Sequence, residues 1–150
     1  MKRIICAAIL CALTTNACAQ TSVTKTDAGI MYSQDDPSEW PKELDAVIAA
    51  PENHKILLEN ASVRVLEVTL APGKIEALHS HQWPSVLYLQ EFGDYIDRDA
   101  KGNIILNTRT LPRPLKFPPA IWKGPQAPHS VENLSDTKTI RLIRVEIKPK

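Results

Sequence analysis

From Pro51 to the end, turn residues divide the chain into short β-rich runs, and no long helical pattern lies between those runs. Such runs of β-branched and apolar residues, bounded by Gly, Pro, Asn and Asp, are typical of strands. A series of short strands at regular spacing predicts an all-β sandwich or barrel. The predicted strands cover residues 55–59, 62–70, 75–81, 85–90, 95–97, 104–108 and 139–147.

Two segments depart from this pattern. Ser38 precedes the run from Glu39 to Ala50, which has Pro41 in its first turn and stops before another proline, and these signals predict a short helix with Ser38 as its N-cap. The segment 112–128 contains six prolines. Proline has no backbone N–H, so uninterrupted helices or central strands are not expected there.

The first residues have the pattern of a secretory signal peptide. Lys2 and Arg3 precede a short apolar run, and small residues at 17–19 precede Gln20. The apolar run is shorter than the roughly 20 residues that a membrane anchor needs, so we expect cleavage after residue 19 and a periplasmic or secreted protein. A lipoprotein attached through Cys18 is the less favoured alternative, because the leucine usual three residues upstream is absent.

The charge balance argues against nucleic acid as a partner. Removing residues 1–19 takes two of the 18 basic residues and leaves 18 − 2 = 16, against 17 acidic residues. No basic cluster interrupts this balance, and no later segment is long and apolar enough to span a membrane.

We predict a signal peptide at 1–19, a polar lead and short helix at 20–50, and one β-domain at 51–150. All three cysteines lie within the signal segment, so the mature chain has no disulfide or thiolate ligand.

The histidines are the candidate functional residues. His79 and His81 stand two apart in a predicted strand, and side chains two apart on a strand point to the same face. His129 follows about fifty residues later. Imidazole is the commonest metal ligand but also a common surface group, so the pair alone does not decide between these roles.

The wider spacing resembles the two signature motifs of the cupin superfamily, G-x5-HxH-x3,4-E-x6-G and G-x5-PxG-x2-H-x3-N. The matching positions are Gly73, His79, His81, Gly93, His129 and Asn133. The resemblance covers residues 55–147 and implies a double-stranded β-helix, the cupin jelly-roll barrel. It also implies that the three histidines face the barrel interior and bind one metal ion.

The chain departs from both motifs. The motif glutamate, the usual fourth ligand in the family, falls on Val86. In the second motif, the positions of the first glycine, the proline and the second glycine hold Pro118, Gly124 and Gln126. The missing glutamate leaves the fourth ligand and the reaction class open.

Three neutral imidazoles leave coordination positions free for water or substrate, as a catalytic site needs. Imidazole suits several divalent transition metals. The resemblance to three-histidine cupin dioxygenases favours iron and an oxidoreductase acting on a small molecule, with Zn, Ni, Mn or Cu as the other metals. The alternatives are a non-catalytic periplasmic sensor or binding module, and a site that is vestigial or structural. The resemblance also implies a homodimer.

Strand alternation and position predict further pocket residues. If Val86 occupies the glutamate position, its face of the strand looks inward. The predicted pocket residues are Val86, Tyr88, Gln90, Trp83, Trp122 and Asn133. We expect His54, Glu76 and Glu132 on the surface and Arg141 at the edge of the barrel.

Overall fold

The computed structural model describes residues 36–113 and 120–150. The predicted signal peptide, Cys18 and most of the polar lead lie outside these residues. Within them, no helix is long and apolar enough to cross a membrane.

The predicted helix of residues 39–50 is broken into shorter pieces. Two single 3-10 turns, Pro37–Glu39 and Lys42–Leu44, precede the helix α1, Ala46–Ala49. Trp40 lies between the two turns with extended backbone angles, because the proline that follows it disfavours a helical conformation. The N-cap of α1 is Asp45, whose side chain accepts from the N–H of Val47, so the prediction of Ser38 as the cap was wrong.

The rest of the described chain contains nine strands and a third 3-10 turn, Thr108–Thr110. The strands are β1 (His54–Glu59), β2 (Val63–Leu70), β3 (His79–His81), β4 (Ser85–Glu91), β5 (Tyr95–Asp99), β6 (Ile104–Asn107), β7 (Ala120–Lys123), β8 (Gln126–Asn133) and β9 (Ile140–Ile147). The predicted strand at 75–81 is shorter than expected, since its first half forms only an isolated bridge, Ile75 to Glu132.

The strand pairing defines the architecture. The sheets have the orders β1-β2-β9-β4-β7 and β3-β8-β5-β6. Strand β2 pairs with β9, β3 with β8, β4 with β7 and β5 with β6, all antiparallel. This nested pairing is that of one long two-stranded ribbon, turned at β5–β6 and coiled so that successive pairs fall alternately in the two sheets. The predicted double-stranded β-helix is therefore confirmed.

The interior is filled from alternate residues of the strands. Leu66, Val68, Leu87 and Leu142 form one buried cluster, and Ile121 packs against it. Burial of a side chain of this size contributes roughly 1.5–3 kcal/mol. These residues fill one part of the space between the sheets and leave the part beside β3 and β8 to polar groups.

Strand β8 corrects the prediction for the proline-rich segment. It contains Pro128, yet it lies between β3 and β5 in the smaller sheet. The register with β3 shifts there, because His79 is opposite His129 whereas His81 is opposite Gln126. The extra residue is a bulge, which lets proline sit in a central strand without an N–H to donate.

Candidate metal centre

All four histidines of the chain converge on one point inside the barrel. His79 is central: its ring centroid lies 4.6 Å from that of His54, 5.1 Å from that of His81 and 4.6 Å from that of His129. The His81 and His129 centroids are 5.9 Å apart. Every one of these side chains is at most 5% exposed.

The hydrogen bonds of the rings leave the same nitrogen of each histidine free. Nδ1 of His54, His79 and His129 lies 3.1, 2.8 and 2.9 Å from the carbonyl oxygens of residues 50, 77 and 127, respectively. Nδ1 of His81 lies 2.7 Å from Oε1 of Glu146. A carbonyl or carboxylate oxygen can only accept, so Nδ1 donates in each case and Nε2 keeps its lone pair. The hydrogen bond donated by Nδ1 fixes the orientation of the ring, as metal-binding histidines need.

The donor set fits a divalent transition metal. The ligand atoms of His54, His79 and His81 all lie within 4.8 Å of one another, so these three could hold an ion. Two imidazole nitrogens about 2.0–2.1 Å from one metal lie roughly 3 Å apart, so small side-chain movements bring them to ligand distance. His129, the third histidine expected from the sequence, lies beside the same cluster.

His54 was predicted to lie on the surface, and this was wrong. It is 3% exposed because β1 pairs with β2 and places His54 opposite the inward-facing Val68. The remaining residues of β1 are exposed. The first residue of the strand is therefore its one inward group, and nothing in the local sequence marks it.

Burial keeps the imidazoles in the form that binds metal. Desolvation lowers the pKa of His54 to about 3 and the pKa of His79 to about 4. It also lowers the pKa values of His81 and His129 well below the ordinary value. All four rings are therefore neutral at neutral pH, and a metal does not have to displace protons from them.

A buried ion-pair network supports His81 from behind. Glu146 is fully buried, and its Oε2 accepts a hydrogen bond of 2.6 Å from Nε of Arg64. Arg64 also donates to both carboxylate oxygens of Asp45 at 3.0 Å. A carboxylate behind a metal-binding histidine raises the basicity of the ring, and Glu146 occupies such a position behind His81, which the sequence did not reveal.

A cavity of about 120 Å³ adjoins the histidines. Its wall is apolar on one side, with Leu87 and Leu142 among its lining residues, and polar near Glu76, Asp97 and Arg144. Glu76 was predicted to be exposed but is 7% exposed, and its Oε1 lies 3.8 Å from Nε2 of His79. Burial, assisted by the charge of Asp97, raises the pKa of Glu76 to about 8.

The predicted inward face of β4 is the outward one. Val86 and Tyr88 are 36% and 53% exposed, and Gln90 is exposed as well. The register with β9 places Ser85 opposite Glu146, so the residues that face the interior are Ser85 and Leu87. Three residues separate Ser85 from His81, which is the shorter of the two spacings that the motif allows. A serine rather than a carboxylate thus faces inward at this place.

The remaining predicted pocket residues lie outside the cavity. Trp122 is 62% exposed and pairs with Val86 on the outer face of the sheet. Trp83 packs against the guanidinium of Arg64, which lies 4.8 Å from the ring centroid. Asn133 is fully buried, but it ties turns together by donating to the carbonyl oxygens of residues 70, 71 and 138.

Glu132 and Arg141 are two charged residues whose exposure was also predicted from the sequence. Glu132 is half-buried rather than exposed, because its Oε2 accepts a 2.8 Å hydrogen bond from Arg98. Arg141 is exposed, on the outward-facing side of β9. The inward residues of the same strand include Arg144 and Glu146, two charges that the alternation of the strand did not single out.

The pairing of β3 with β8 decides the fold assignment, because it brings the HxH pair and His129 together in a coiled two-stranded ribbon. The fold is that of the cupins. No protein-family model matches the chain, and no curated protein matches it. Solved structures with a similar fold include a cupin domain from Bordetella pertussis Tohama I, with 22% identity over 64% of this chain and 92% of that chain and a TM-score of 0.48.

Two further solved structures are similar in fold. An RmlC-like cupin with a double-stranded β-helix fold from Methanocaldococcus jannaschii has 13% identity over 63% of this chain and 77% of that chain, with a TM-score of 0.42. A predicted oxalate decarboxylase from Thermotoga maritima has 21% identity over 63% of this chain and 79% of that chain, with a TM-score of 0.40. These likenesses concern the fold and not the activity.

Proposed function

We propose that this chain is a metal-dependent cupin oxidoreductase that binds one divalent transition metal, preferably iron, and acts on a small molecule in the barrel. The observation that carries the proposal is the arrangement of the four histidines: each Nδ1 is engaged in a hydrogen bond, and each Nε2 is left free. Free imidazole nitrogens buried side by side are otherwise unfavourable, because each loses its hydrogen bonds to water.

His79 and His81 would hold the metal together with His54, His129 or both. A bound iron ion supplies redox chemistry, whereas zinc would supply only polarisation of a bound group. Glu146 holds His81 in its orientation, and the apolar wall excludes bulk water from the reacting molecule. Glu76, protonated at neutral pH, can hold a proton beside Nε2 of His79.

Elemental analysis of protein purified without added metal tests this proposal. We expect one transition-metal ion per chain, lost in His79→Ala and retained in Gln90→Ala, whose side chain is exposed on the outer face. Comparing His54→Ala with His129→Ala identifies the third ligand, because the variant that loses a ligand should lose more affinity. Wild-type protein that stays metal-free after exposure to iron, zinc, nickel and manganese would refute the proposal.

A non-catalytic binding or sensor module is the second candidate. It is favoured by Ser85, because the inward position near the motif glutamate carries a hydroxyl and no carboxylate. Such a module would bind metal with the same stoichiometry but consume no dioxygen in the presence of small-molecule substrates. Oxygen-electrode measurements on the iron-loaded protein distinguish the two.

Export to the periplasm belongs to the same proposal. The support is the basic, apolar and small-residue pattern of residues 1–19. Fractionation of cells that express the full chain, followed by mass measurement of the mature protein, tests it. A protein that stays uncleaved in the cytoplasm would contradict this part.

A further inference from the structure

The cavity beside the histidines is lined by polar atoms that no group in the described residues satisfies. These are Nε and Nη2 of Arg144, Oε2 of Glu76 and Oδ1 of Asp97, all buried and without a hydrogen-bond partner. Buried polar atoms in folded proteins are nearly always hydrogen-bonded, to protein or to something bound. Several unsatisfied atoms around one cavity therefore indicate a polar ligand.

Arg144 is the strongest of these groups. It is 3% exposed, and only its Nη1 is hydrogen-bonded, to Oε1 of Gln126 at 2.7 Å. Its Nε lies 3.5 Å from Glu146, but the short hydrogen bonds of that carboxylate go to Arg64 and His81. A guanidinium offers adjacent N–H groups in one plane, which match the two oxygens of a carboxylate.

Glu76 provides the second contact. Its Oε1 lies 3.8 Å from Nε2 of His79, so the carboxyl group stands next to the proposed metal position, while Oε2 has no partner among the described residues. An oxygen in this place can bond the hydroxyl group of a ligand. The cavity of about 120 Å³ has room for one small organic molecule, since a single water needs about 10–15 Å³ in the same measure.

We infer that the cavity binds a small hydroxy acid whose carboxylate pairs with Arg144 and whose hydroxyl group bonds Glu76. This rests on the proposed function, because it names the substrate class of the same site. The apolar wall formed by Leu87 and Leu142 would contact the carbon chain.

Calorimetric titration with three matched probes tests the inference. Lactate carries both groups, propionate lacks the hydroxyl, and lactamide lacks the negative charge. The protein variants are Arg144→Lys, Glu76→Leu and, as a matched control, Arg98→Lys, whose arginine forms an ion pair with Glu132 and does not line the cavity. Each titration is run on metal-free protein in chelator and again on metal-loaded protein.

We expect wild-type protein to bind lactate at least tenfold more tightly than lactamide, as a charge-assisted hydrogen bond implies. Arg144→Lys should lose about tenfold for both acids. Glu76→Leu, which has no polar atom to bond the hydroxyl group, should remove the preference for lactate over propionate, and Arg98→Lys should behave like wild type. Near-ultraviolet circular dichroism checks the fold of Arg144→Lys and Glu76→Leu, and the ratio of lactate to propionate affinity in Glu76→Leu tests the inference independently of Arg144→Lys.

Equal affinity for lactate and lactamide, or no lactate binding up to roughly 50 mM in either form, would overturn the inference. So would unchanged lactate binding in folded Arg144→Lys protein. Metal-free protein that never takes up metal but binds lactate through Arg144 contradicts only the proposed function. Metal-loaded protein that ignores lactate contradicts only the hydroxy-acid inference.

Discussion

Glu146→Gln should destabilise the protein far more than a matched change at an equally short ion pair on the surface. Glu146 is fully buried and serves three groups: Arg64 at 2.6 Å, His81 at 2.7 Å and Arg144 at 3.5 Å. In the variant, Arg64 would keep only the carboxylate of Asp45, and Arg144 would lose the charge that lies 3.5 Å from its Nε. Removing one partner of a buried ion pair costs about 3–5 kcal/mol, because the remaining charge stays out of water without compensation.

The matched control is Glu59→Gln. Glu59 accepts a hydrogen bond from Lys148 at the same distance, 2.6 Å, but its side chain is 37% exposed. An exposed pair contributes about 0–1 kcal/mol, since water solvates either charge when the other is removed. We therefore expect Glu146→Gln to lose more unfolding free energy than Glu59→Gln, because the two ion pairs differ in burial and not in length.

Urea denaturation of the metal-free proteins at neutral pH gives the unfolding free energies. A competition titration with a coloured chelator gives the metal affinity, which we expect to fall about 10- to 100-fold in Glu146→Gln because His81 loses its supporting carboxylate. If the two variants lose similar stability, or Glu146→Gln loses less than about 1 kcal/mol, the reasoning from burial is wrong.

Three further predictions concern other parts of the molecule. Between pH 6 and pH 5, the unfolding free energy of the metal-free wild type should fall by about 1 kcal/mol more than that of metal-free His54→Gln. The reason is that His54 takes up a proton in this range only in the unfolded chain, since its pKa in the folded protein is about 3. Parallel pH profiles of the two proteins in urea denaturation would contradict this prediction. Asn133→Ala should lower the unfolding free energy by about 2 kcal/mol, since the buried carbonyl oxygen of residue 70 and the part-buried ones of residues 71 and 138 lose their shared donor. A loss under about 0.5 kcal/mol in the same assay would count against that role. We expect the homodimer implied by the resemblance to pack through the apolar outer face of the larger sheet, where Val86 is exposed. Light scattering should then show a monomer for Val86→Glu and a dimer for Gln90→Glu. A monomeric wild-type protein would contradict this prediction.

The sequence predicted the fold class well because strands and turns are specified locally. Seven of the strands followed from short β-branched runs between turn residues, and the HxH spacing placed His79 and His81 on one face by alternation alone. The helix prediction failed because Pro41 and the residue before it take extended conformations that interrupt a helix. Local signals thus predicted the existence of the elements better than their extent.

Which face of each strand points inward was decided only by the tertiary structure. A shift of one residue reverses the face of a whole strand, and in β4 the pairing with β9 turns Ser85 inward and Val86 outward. The polar groups around the histidines likewise come from distant positions: Glu146 meets His81 across 65 residues and Arg64 across 82. In the sequence, His54 and Glu76 look like surface residues. A buried polar side chain is recognised by its hydrogen-bonding and ionic partners, and those partners become neighbours only in the folded protein. The chain therefore specifies a coiled β-ribbon with paired histidines by itself, whereas the fourth histidine, the supporting carboxylates and Arg144 become a site only when the two sheets close over them.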